Sequence, residues 1–145
     1  MNYKKIIQSL DTIMLCCLLT ILILSALAFI FVFIINWEDW FFSTKLDGLP
    51  AGMFLLAKTL TAIALAALLV QFPKYKKVTI LMAVAYFGFL LFNSATTIQK
   101  NTAGRESFSI LLAIFFLIPI LYFMVNILAT RLDGDETADR EIAGG

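Results

Sequence analysis

Histidine is missing altogether from this chain of 145 residues. Its absence takes away the commonest metal ligand, the usual haem ligand and the commonest general base at neutral pH. Charge is scarce too: 14% of the residues are Asp, Glu, Lys or Arg, against roughly a quarter in an ordinary soluble domain. The net charge of +1 makes no electrostatic case for nucleic acid. Cysteine is limited to Cys16 and Cys17, adjacent in a stretch that reads as helix, where neighbours project about 100° apart and do not face each other. No disulfide joins them on this reading. They are small apolar fillers, with palmitoylation near a membrane boundary as the other possibility. Nor is there a nucleophile with a base beside it, a carboxylate pair inside an apolar run, a glycine-rich phosphate loop or a metal-ligand spacing. The chain is therefore expected to have no catalytic residues, no cofactor and no metal.

What is present is hydrocarbon. Hydrophobic residues make up 61% of the chain and the mean hydropathy is +0.94. Four apolar runs, residues 12–36, 51–72, 78–99 and 107–130, are each long enough as helix, at about 1.5 Å per residue, to cross a hydrocarbon core of roughly 30 Å. The basic start followed by Ser25-Ala26-Leu27-Ala28 imitates a signal-peptide cleavage site. The apolar run continues to Ile35, so it is read as a retained first helix. Short connections between four such helices predict an all-α, up-down transmembrane bundle over residues 1–130. Residues 131–145, with five carboxylates against two arginines, read as a flexible acidic tail.

Lysine and arginine set the expected orientation. Lys4, Lys5, Lys74, Lys76, Lys77 and Arg131 fall on one side, and Lys45, Lys100 and Arg105 on the other. The positive-inside rule then puts both termini in the cytoplasm, in a bacterial inner membrane by preference. The loop between the first two helices faces outside. It carries Trp37, Glu38, Asp39, Trp40, Phe41 and Phe42, rings beside carboxylates, which suits anchoring in the headgroup layer or a docking patch for a partner.

One charge interrupts the apolar runs. Lys58 lies about 10 Å along the second helix from residue 51, where insertion scales charge about 2.5–3.5 kcal/mol for a lysine near mid-helix. Asn93, about 9 Å before the end of the third helix, sits at a matching depth if the two helices are antiparallel. Lys58, Thr61, Asn93, Ser94 and Thr97 are therefore expected to share one polar layer, with Glu38, Asp39 or Asp47 as the counter-ion. A structural pairing or snorkelling of Lys58 toward the outer face competes with an anion site. Small residues along the second helix, including Ala62 and Ala66, together with Gly88 on the third, mark close helix packing. Pro119 is expected to kink the fourth helix.

The segments Lys58-Thr59-Leu60-Thr61-Ala62, Phe72-Pro73-Lys74 and Ala85-Tyr86-Phe87-Gly88-Phe89 resemble the middle of the DoxX-like four-helix proteins, which implies a four-helix membrane fold and transfers no site. In overall plan the chain is similar to the small membrane-spanning components of bacterial phage-defence and phage-exclusion systems, which implies a sensor or pore. Two functions follow as expectations. One is a non-catalytic subunit or scaffold in a membrane oligomer, with the lipid bilayer and further copies or other membrane subunits as partners. The other is an oligomeric pore or small transporter in which Lys58 and Asn93 line an anion-favouring path.

Overall fold

The computed structural model describes residues 3–36, 38–42, 44–99 and 106–144. Four helices dominate it: α1 (Tyr3–Ile35), α2 (Gly48–Gln71), α3 (Lys76–Gln99) and α4 (Glu106–Gly144). The spans long and apolar enough to cross a membrane are Ser9–Ile35 in α1, Gly48–Gln71, Pro73–Gln99, which takes in the short turn before α3 together with α3, and Ser109–Leu132 in α4. Within an apolar 18-residue stretch of each span, between 11% and 39% of the residues are buried within the chain, and Ile34, Met53, Leu81 and Leu111 are among the many large apolar side chains left on the outside. Surface of that kind calls for a hydrocarbon surround rather than water.

The helices run up and down in sequence. The end of α1 meets the start of α2, where a Cβ on Gly52 would stand 3.2 Å from the Phe33 ring. The starts of α1 and α3 are joined by an ion pair between Asp11 and Lys76. Ser9 near the start of α1 hydrogen-bonds Tyr122 in the second half of α4. Two apolar clusters hold the bundle. The larger gathers Met14, Leu18 and Ile21 of α1, Ala62, Leu65 and Ala66 of α2, Ile80, Ala83, Phe87 and Leu90 of α3, and Phe116 of α4. The smaller joins Val32 to Ala51 and Leu55.

Helix ends follow the breakers and not the charges. α1 stops at Ile35, and Asn36 takes φ 50°, the left-handed turn with which many helices close. Gly48, at φ 54°, opens α2. Pro73 has no N–H to continue α2, and a short 3-10 turn, Pro73–Tyr75, leads directly into α3. α1 begins nine residues before the expected position 12, because nothing between Tyr3 and Asp11 forbids helix. α4 likewise continues past Thr130 to Gly144, so the segment expected to leave the bundle as a flexible tail is helical. Charge alone does not end a helix, and Glu136, Ala138, Arg140 and Glu141 are all favourable helix formers. α4 passes through Pro119, whose side chain is buried.

The link between α1 and α2 is a β-hairpin that the all-helical reading did not anticipate. β1 (Asp39–Phe41) pairs antiparallel with β2 (Thr44–Leu46) in the register Asp39↔Leu46, Trp40↔Lys45, Phe41↔Thr44. Phe42, at the turn, has φ 49°, as the primed turns of tight hairpins require. Lys45 and Glu38 close it with a 2.5 Å ion pair.

Candidate functional site

The hairpin folds down over the ends of α2 and α3, and the polar residues of those helices receive it. Lys58 donates to Asp39 Oδ2 at 2.7 Å, with side chains 16% and 19% exposed. Its Nζ also lies 4.1 Å from the centre of the Phe54 ring. A helical lysine leans toward its helix N-terminus, which here is the hairpin end, so reach and pairing agree. Contact with an opposite charge offsets part of the cost of placing an isolated lysine in an apolar helix, and it gives Lys58 a structural partner within the chain. Of the three carboxylates considered as counter-ion, Asp39 is the one used.

Asn93 grips the hairpin backbone. Its Nδ2 donates to the carbonyl of Trp40 at 2.9 Å and its Oδ1 accepts from the N–H of Phe42 at 2.7 Å, so the side-chain amide imitates a neighbouring strand on either side of Phe41. Thr96 and Thr97 both donate to the Asn93 carbonyl, at 2.8 and 2.9 Å. Tyr86 of α3 donates to the Lys58 carbonyl at 3.0 Å. α2 and α3 are thus tied together, and to the hairpin, at one level.

Aromatic rings complete the seat. Phe41 packs edge-on against Phe54 at 5.2 Å between centroids, and Phe42 lies 5.6 Å from both Phe89 and Phe92. The proposed docking loop therefore applies much of its aromatic surface to its own bundle. Trp40 and Phe42 are half-buried and Phe41 is 40% exposed; Trp37 lies outside the described residues.

Beneath the hairpin is a partly open cavity of about 550 Å³. Lys58, Asn93, Ser94 and Thr97 all line it, joined by Asp39 and Trp40 of the hairpin, Ser25 of α1 and Ser109 of α4. Four of the five residues expected in a polar layer are therefore brought together. Thr61 is not. It is exposed and donates to the Ala57 carbonyl of its own helix at 2.8 Å, a bond any helical threonine can make. Ser25 and Ser109 escaped sequence reasoning because each is a small hydroxyl in a long apolar run with no charged residue beside it in the chain to mark a polar site.

The packing residues divide in the same way. Ala62 and Ala66 are buried in the main cluster, whereas a Cβ on Gly88 would meet nothing within 4 Å. The close approach expected at Gly88 occurs at Gly52, against Phe33. Among the described residues, no group of three or more His, Cys, Asp or Glu is placed to hold a metal. Cys16 is exposed and Cys17 buried, both as free thiols. In comparisons with known proteins, no family model, no curated protein and no solved structure matches the chain.

Proposed function

We propose that this is a multi-pass membrane protein, with both termini in the cytoplasm and the hairpin outside, that works as a non-catalytic subunit in an oligomer or larger membrane complex. The observation that carries the reading is the pair of small-residue faces on α2. Ala62 and Ala66 point into the bundle and are consumed there, while Ala57, Thr61 and Ala64 are exposed, at spacings of four and three that share one helical face. In lipid, helices associate by close packing and not by a hydrophobic drive, so a second small face is what an inter-subunit contact uses. Thr61→Phe tests this, since the residue faces outward and the bundle does not depend on it. Native mass spectrometry from lipid nanodiscs is expected to return a multimer or hetero-complex for the wild type and a monomer for the variant. A wild type that is monomeric in native membranes overturns the proposal.

An anion-favouring path through Lys58 and Asn93 has less behind it. The Lys58 charge is held by Asp39, and both ends of the Asn93 amide are engaged with the hairpin.

A further inference from the structure

The cavity under the hairpin has a chemistry of its own, independent of how the protein assembles. Its walls are apolar, formed in part by Ile21, Leu55, Leu90, Leu112 and Phe116. Its rim includes Leu24, Leu27 and Phe31, which line it and yet remain 47%, 47% and 43% exposed on the outer surface of α1. The opening thus borders the face that the bundle presents to hydrocarbon, and a molecule dissolved in the bilayer can reach it without crossing water.

The polar end is electrically balanced. Lys58 is matched by Asp39, and Glu38 by Lys45, so an ion entering would give up its solvation for little net attraction. Hydrogen-bonding capacity is left over, however. Ser94 and Ser109 are buried at 7% and 8% exposure, line the cavity and make no hydrogen bond among the described residues. The indole N–H of Trp40, another lining residue, is buried with no acceptor there. A buried donor without a partner, as at the Trp40 indole, is uncommon and calls for an explanation, and the two serine hydroxyls beside the cavity are free to pair as well. An acceptor oxygen on a bound molecule supplies that explanation.

Size narrows the class further. At about 30 Å³ per water-sized group in a liquid, a volume of about 550 Å³ holds on the order of 18 heavy atoms. That is one acyl chain with a small head, and well under a two-chain phospholipid. The volume falls within the usual range for ligand pockets.

The geometry points to a binding site for a neutral, single-chain lipid or similar bilayer-soluble molecule, its chain between α1 and α4 and its ester or hydroxyl oxygens at Ser94, Ser109 and Trp40. The probe is a monoacylglycerol with a dibrominated dodecanoyl chain, a length that matches the cavity, whose bromine atoms quench tryptophan on close approach. Full-length protein carrying Trp37→Phe, so that Trp40 alone emits, is placed in nanodiscs and titrated. The comparison is phosphatidylcholine with the same dibrominated chains at equal bromine content.

Saturable quenching by the monoacylglycerol beyond that of the phospholipid is the expected result. Ala28→Phe, which fills the cavity from α1, is expected to abolish the excess. Replacing Ser94 and Ser109 together by alanine leaves the walls intact and is expected to raise the half-saturating concentration about fivefold to tenfold, the effect of losing one or two hydrogen bonds. Equal, unsaturable quenching by the two carriers overturns the assignment, because ordinary bilayer chains then account for everything. So does saturable excess quenching that is unaltered in the double serine variant.

Discussion

The two ends of the bundle are built on different principles. Away from the hairpin, Leu10, Met14, Leu18, Ala62, Ala66, Ala83 and Phe87 interlock, and the ion pair between Asp11 and Lys76 joins two helix starts at the edge. At the hairpin end the helices stand around a cavity, and polar side chains hold a strand pair across its top. Dry packing locates the helices; the polar network locates the loop. A membrane protein cannot use the hydrophobic effect between helices, so shape supplies cohesion at one end and hydrogen bonds supply specificity at the other.

The largest effect should come from the dry end. Phe87 is fully buried, and Phe87→Ala is expected to destabilise the bundle by about 3 kcal/mol in reversible unfolding from detergent micelles, whereas Phe92→Ala, at a ring 60% exposed, should change it by less than about 1 kcal/mol. Similar losses at the two sites would erase the distinction. Next, Asn93→Ala removes two hydrogen bonds worth about 1 kcal/mol each. It should leave helix content unaltered and speed amide exchange at Phe42, and unchanged exchange there would show that the clasp does not hold the hairpin. For the ion pair, a double-mutant cycle of Lys58→Ala with Asp39→Ala is expected to give a coupling of about 1 kcal/mol, and additive losses would mean that the two charges are held separately. The smallest test sets two glycines against each other. Gly52→Ala must push against the Phe33 ring and should destabilise, while Gly88→Ala has open space and should stabilise by up to about 1 kcal/mol through helix propensity.

The same division explains what could be read in the chain. Four charge-poor runs announce four helices, and the antiparallel folding of consecutive helices is enough to set Lys58 and Asn93 at one level. Helix ends are harder, because they depend on Asn36, Pro73 and the absence of any breaker near Tyr3 or Thr130, and not on where charges begin. The hairpin left little trace. Its strands are three residues each, and Phe42-Ser43 is not one of the asparagine- or glycine-containing pairs that signal a tight turn. Thr61 was misplaced because position along a helix gives depth, while the face a hydroxyl takes depends on whether its own backbone satisfies it. Glycine was misjudged for a related reason: Gly88 looked like a contact point by composition, but only the arrangement of Phe33 makes Gly52 one.

One consequence of the Asn93 grip concerns alignment. Successive side chains in a strand alternate sides, and Asn93 holds the carbonyl of one residue and the amide of the next but one. Sliding the strand by a single step would exchange the roles of Trp40 and Phe41, withdrawing the indole from the chamber and pulling a ring off Phe54. One asparagine amide therefore decides which aromatic roofs the chamber and which is clamped to the helices outside it.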